Sequence, residues 1–207
     1  SPATGEPHNE PRFENDGRTQ QGTGFQELTA DARVVGRLSE RVALTLAYYD
    51  YRQMNAPRTD KCPPAEAQED VCLLYKKQYR TLNYASVRLF DGPGFADTAR
   101  LTLSYQRQHE DREQFQGNGI PDIPGGTENN GQDTVHTAGV SVNVATRRWR
   151  PTPWFDGSLL YGGDAYYDRI DSYSEVVFTD ITPDLVLPRS RGQYLDDSQY
   201  LTSGLFV

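Results

Sequence analysis

Leu28 to Tyr51 reads LTADARVVGRLSERVALTLAYYDY, and its alternation decides the fold. Even positions carry Leu28, Ala30, Ala32, Val34, Gly36 and Leu38, while Thr29, Asp31, Arg33, Val35 and Arg37 stand between them. Ser39-Glu40 makes a tight turn, and the pattern resumes as Val42, Leu44, Leu46 and Tyr48 against Ala43, Thr45, Ala47, Tyr49 and Tyr51. Successive side chains of a strand point to opposite faces, whereas a helical face returns about every 3.6 residues. The stretch is a strand, a turn and a second strand.

The same period recurs down the chain. The run from about Tyr75 to Phe90 is the weakest, with Tyr79, Thr81, Ala85, Val87 and Leu89 less polar than Gln78, Arg80, Ser86 and Arg88. Ala99, Leu101, Leu103 and Tyr105 alternate with Arg100, Thr102, Ser104 and Gln106. Ala138, Val140, Val142 and Val144 alternate with Thr137, Gly139, Ser141 and Asn143. Phe155, Leu159 and Tyr161 mark a sixth run against Asp156, Ser158 and Asp164, and Ser198 to Val207 a seventh.

Connections alternate short and long. Short ones fall at Ser39-Glu40, Asp91–Asp97 and Arg150–Pro153; long polar ones fall at Asn55–Leu74, Arg112–Gln132 and about Asp168–Asp197. Structureless loops of about 15–20 residues are uncommon in compact domains. On every second connection they collect at one end of an up-and-down antiparallel meander. The runs reach about 11–15 residues, beyond the usual ~5–6 of a sandwich strand and enough for the ~9–11 of a tilted membrane strand. The fold expected is therefore all-β: a meander of about seven long strands forming an open segment of a transmembrane β-barrel. Residues 1–22 belong to an extracellular loop in that reading. Residues 23–207 alternate strands with short periplasmic turns and long extracellular loops. Leu44, Leu46, Leu101, Leu103, Val140 and Val142 should face lipid, and Thr102, Ser104, Ser141 and Asn143 the lumen. Tyr48 and Tyr105 at the loop end, with Trp149, Trp154 and Phe155 at the turn end, should form the aromatic girdles.

Composition agrees. Only 36% of the 207 residues are hydrophobic, yet 13 Tyr, 8 Phe and 2 Trp are present, and disordered chains are aromatic-poor. A net charge of −8 leaves no basic stripe for nucleic acid. Cys62 and Cys72 are the only cysteines. In a protein folding through an oxidising periplasm they should form a structural disulfide, stabilising by about 2.5–3 kcal/mol on the entropic account. Two cysteines make no metal site unaided, and no Cys-x-x-Cys is present. His109-Glu110-Asp111-Arg112-Glu113 begins like a helical zinc motif but has Glu113 where the second His belongs. No nucleophile elbow, phosphate loop or dinucleotide fingerprint occurs. Neither catalysis nor a cofactor is expected.

Several stretches then resemble TonB-dependent outer-membrane receptors. Tyr48 to Cys62, YYDYRQMNAPRTDKC, is similar to a barrel strand of that family leaving the membrane for a loop. Gln78-Tyr79-Arg80, Tyr105-Gln106 leading to Glu110-Asp111-Arg112, and Asp164 to Ser172 (DAYYDRIDS) resemble further strands. The resemblance runs from about Gly24 to the end. It implies energy-coupled uptake of a scarce nutrient such as an iron–siderophore complex across the bacterial outer membrane. The partners implied are outer-membrane lipid, a plug domain of the same full-length chain, TonB acting through that plug, and the small-molecule ligand. No plug or TonB-engaging box is visible, seven strands stand against ~22, and Leu205-Phe206-Val207 lacks a terminal aromatic. The expectation is a piece of a receptor barrel. Tyr49, Tyr51, Gln106, Gln108, Glu110 and Tyr166 are the candidate ligand contacts, as polar or aromatic lumen positions near the loop end. Two alternatives are a secreted β-sandwich with Trp149 and Trp154 as a carbohydrate platform, and a small self-contained outer-membrane barrel.

Overall fold

Ten strands form among the described residues, most of them where the alternating runs lie. They are β1 (Gln26–Ser39), β2 (Val42–Pro57), β3 (Cys72–Phe90), β4 (Ala96–Gly117), β5 (Gly126–Thr146), β6 (Trp149–Thr152), β7 (Phe155–Gly157), β8 (Leu160–Phe178), β9 (Leu185–Arg189) and β10 (Ser198–Phe206). The structure, a computed structural model, describes residues 15–18, 24–58, 72–92, 94, 96–117, 126–178, 185–189 and 191–207. Seven strands follow one another across a single sheet in the order β1-β2-β3-β4-β5-β8-β10, with β9 added on β8. Every pairing is antiparallel. The fold is a large all-β meander of long strands. A sandwich would need a second packed sheet, and among the described residues the other sheet is only the β6–β7 hairpin.

The sheet has two chemically different faces. Antiparallel partners lie on the same face, so the register assigns each residue to a row. One row reads Gly36, Leu44, Val87, Leu101, Val142, Gly163 and Leu205; the next reads Val34, Leu46, Ala85, Leu103, Val140, Ala165 and Ser203. Above them, toward the long-connection rim, come Ala32, Tyr48, Asn83, Tyr105, Ala138, Tyr167 and Leu201. The following row turns polar: Ala30, Asp50, Thr81, Arg107, His136, Arg169 and Gln199. On the opposite face, Thr45, Ser86, Thr102, Ser141 and Asp164 share a row, four residues below Tyr49, Leu82, Gln106, Thr137 and Asp168 (counting along each strand toward the same rim, with one row of that face between).

Exposure follows the same division. Leu46, Leu101, Leu103, Val140 and Val142 are exposed, Leu44 is half-buried, and so are Thr102, Ser104, Ser141 and Asn143. Among the described residues the buried apolar side chains are only Ala47, Ala56, Ile170 and Val176, and no large side chain is fully buried. Backbone ladders and cross-strand pairs hold this sheet in place of a conventional core.

Three sequence readings change. The strands outrun the apolar alternation: β2 continues to Pro57, β4 to Gly117 and β8 to Phe178, so the connections expected from Asn55, Arg112 and Asp168 begin in paired strand. The ladder needs only backbone groups, so it continues where both faces are polar. The sixth run is two elements, because Phe155–Gly157 folds back on β6 and the long strand begins at Leu160. Finally, the approach to the last strand contains β9, which pairs with Ser174–Phe178 before β10 pairs with Gly162–Ile170. Residues 191–197 therefore lie beside Asp171–Tyr173 on β8 and form an insertion between the two paired stretches of that edge. Cys72 opens β3, whereas Cys62 and the expected disulfide lie outside the described residues.

Candidate functional site: the polar face near the long connections

All six candidate contact residues share the polar face. Tyr49 and Gln106 occupy one row with Leu82 between them; Tyr51 and Gln108 occupy the next with Arg80 between them; Glu110 lies one row further, beside Gln78. Tyr51, Gln78, Arg80, Gln108 and Glu110, with Tyr79 and His109, line an open groove of about 340 Å³. Tyr49 is outside that lining and stacks on Tyr84, ring centroids 6.3 Å apart. Tyr166 is separate. It lies on β8, two strands beyond Gln106, roughly 10 Å away at the normal strand spacing, with its ring over Gly139.

Hydrogen bonds set the groove's chemistry. Tyr51 donates to Glu27 Oε2 at 3.2 Å, and Gln78 Nε2 donates to Glu110 Oε2 at 3.0 Å. Arg112 bridges two carboxylates, with Nε 2.9 Å from Glu110 Oε1 and Nη2 2.6 Å from Asp133 Oδ2. Asp133 also accepts from Ser172 Oγ at 2.5 Å, and both side chains are buried. Ser172 in turn receives the insertion: its N–H donates to Asp196 Oδ1 at 2.9 Å, and its Oγ accepts from the Tyr194 N–H at 3.2 Å. One connected network thus runs from Gln78 to the 191–197 insertion. It fixes Gln78 and Glu110 at the border of the groove.

Arg112, Asp133, Ser172 and the insertion were not legible as site-forming. They fall where the sequence reads as loop, with no alternation to place them on a face. One signal was present: Gly131 leaves room for the Arg112 guanidinium, and a Cβ there would lie 3.1 Å from Nη2.

The opposite face carries a different pairing. Lys77 Nζ donates to Asp111 Oδ2 at 2.8 Å, Gln132 Nε2 donates to Asp111 Oδ1 at 3.0 Å, and His109 Nε2 lies 3.0 Å from that same oxygen. Burial alone would raise the Asp111 pKa, but the hydrogen bonds from Lys77 and Gln132 and the His109 charge outweigh it and hold the carboxyl below its ordinary range. Lys77 is correspondingly raised, chiefly by the hydrogen bond to Asp111. His109 sits in a strand, so the helical spacing of a zinc motif does not exist there. Among the described residues no cluster of three or more His, Cys, Asp or Glu is arranged to hold a metal. No described helix is long and apolar enough to cross a membrane, which says nothing of strands. Compared with known protein families, curated proteins and solved structures, the chain matches none.

Proposed function

We propose that this chain forms part of the wall of an outer-membrane β-barrel, in a receptor of the TonB-dependent kind that imports a scarce nutrient such as an iron–siderophore complex. The observation that carries the reading is the row pattern. Aliphatic and small residues continue from strand to strand on one face, a tyrosine-bearing row bounds them, and small polar residues occupy the other face in register. A lipid-facing wall with a hydrated lumen needs that division. The asymmetry of the connections adds the sidedness, with short turns toward the periplasm and long loops outside. The groove bounded by Tyr51, Gln108 and Glu110 faces the lumen near the loops, where a captured ligand would pass. The plug of the full-length chain would contact the same face, and TonB would act through that plug.

The test is fractionation and uptake with the full-length protein. It should partition with the outer membrane and support accumulation of a labelled ferric siderophore from a panel. Loss of TonB should abolish accumulation while leaving surface binding. Recovery in a soluble fraction sinks the wall, and accumulation that ignores TonB sinks the receptor class.

A further inference from the structure

We propose that the polar face holds a second binding site, for a hydroxylated monocarboxylate the size of a single hexuronic acid, in a cavity bordered by the 191–197 insertion. It is separate from the groove at Tyr51 and stands whether or not the sheet is a membrane wall. Register builds its floor. Arg112, Gly131, Ser174 and Arg189 form one cross-strand row on β4, β5, β8 and β9. Two arginines thus end the row, roughly 14 Å apart at the normal strand spacing, with two small residues between them. The next row toward the long-connection rim carries Gln114 and Asn129. Gly192 and Gln193 complete the lining, from the insertion that Tyr194 and Asp196 fasten to Ser172. The cavity so formed holds about 180 Å³.

Three features select the ligand. The first is charge. Arg189 is exposed, and among the described residues its guanidinium has no carboxylate or hydrogen-bonding partner. Glu110 and Asp133 already answer Arg112, so Arg189 is the lining cation left for an anion. A carboxylate suits a guanidinium best, through two parallel hydrogen bonds. The second is an unmet acceptor. Asn129 Oδ1 is buried without a hydrogen-bond partner, and a ligand hydroxyl would supply one. The Gln114 and Gln193 amides offer donors and acceptors to further hydroxyls. The third is size. At about 180 Å³ the cavity falls below the ~300–1,000 Å³ of pockets for drug-sized molecules, and one sugar ring fills it.

The full-length protein is titrated calorimetrically with glucuronate, glucose and cyclohexanecarboxylate. Glucuronate should saturate one site. Glucose lacks the charge and cyclohexanecarboxylate the hydroxyls, so each should bind at least about tenfold more weakly. Arg189→Gln should weaken glucuronate by a similar factor. Arg191→Gln, the same charge change outside the lining, should leave it unaltered. Bound glucuronate should also slow chymotryptic cleavage after Tyr194 and Leu195, because the insertion forms one side of the cavity. Should Arg189→Gln fail to fold, the three ligands and the cleavage rate still decide. Glucuronate that does not saturate, or that binds no better than glucose or cyclohexanecarboxylate, overturns the site. Cleavage unslowed by glucuronate overturns it too. Equal losses in Arg189→Gln and Arg191→Gln overturn it as well, since they mark diffuse attraction to a basic segment.

Discussion

Tyr166 shows how a residue can be placed on the expected face and still be occupied there. Its ring lies over Gly139 on the adjacent strand, where a Cβ would come within 2.7 Å of the ring and 2.6 Å of Ser104 Oγ. Glycine in a strand interior is ordinarily unfavourable, and an aromatic ring laid across it restores the contact. Gly139→Ala should therefore destabilise the folded protein by about 1–3 kcal/mol. Tyr166→Ala in the same chain should recover part of that loss, because neighbours sharing one space are not additive. Denaturant midpoints of the two single variants and the double variant check this, and simple additivity would refute the contact. At Asp111 the prediction concerns pH. Its carboxyl is held below the ordinary value of 3.8, so the stability it contributes is full above that value and lost as pH falls through the lowered pKa. Lys77 is raised above 10.5, so its contribution is full below that value and lost only as pH rises through the raised pKa. Asp111→Asn should remove the acid-side component of the pH–stability curve and leave neutral-pH folding intact. An unchanged acid limb would show that the pair does not couple to folding.

Among the elements, what alternation made legible was the part of each strand with unlike faces. β4 was readable from Ala99 to about Glu110 because Leu101, Leu103 and Tyr105 contrast with Thr102, Ser104 and Gln106. From Asp111 to Gly117 Phe115 is the one large apolar residue, the alternation is lost, and the backbone ladder to β5 continues unseen. The six contact positions were placed on one face for the same reason, since their parity is fixed by the apolar residues below them. The grouping of Tyr51, Gln108 and Glu110 into a groove depended on register with Gln78 and Arg80, which no single strand contains, and Tyr49, Gln106 and Tyr166 lie outside it. The 191–197 insertion was invisible because its anchors are Ser172 and a glycine. A Cβ on Gly192 would collide with Ser172 Oγ and approach the Tyr173 carbonyl oxygen to 2.9 Å. Asp197, at φ 54°, closes the segment in the left-handed region that asparagine and aspartate tolerate best after glycine. Gly192→Val should unseat the insertion and open residues 191–197 to limited proteolysis while the β8–β10 pairing survives. Cleavage as slow as in the unaltered chain would mean that the insertion is not held against Ser172.

At the scale of the whole sheet, β1 and β10 are paired on one side only among the described residues. Both run from the long-connection rim to the short-turn rim, so direct closure would require them to meet in parallel. Antiparallel closure needs an even number of strands. Each free edge presents a row of unpaired N–H and C=O groups; in water it templates aggregation, and in lipid each unsatisfied group costs several kcal/mol. In the receptor reading, neighbouring strands of the full-length barrel cover both edges, and seven strands supply roughly a third of a ~22-stranded wall. The 207 residues alone should then fail to refold in detergent into a heat-resistant monomer, whereas the full-length barrel should run faster on a gel before boiling than after. Extending the chain past one edge should not rescue it, because the other remains open. A compact, heat-modifiable monomer from these residues alone would mean that β1 and β10 find each other, and the wall would be a complete small barrel.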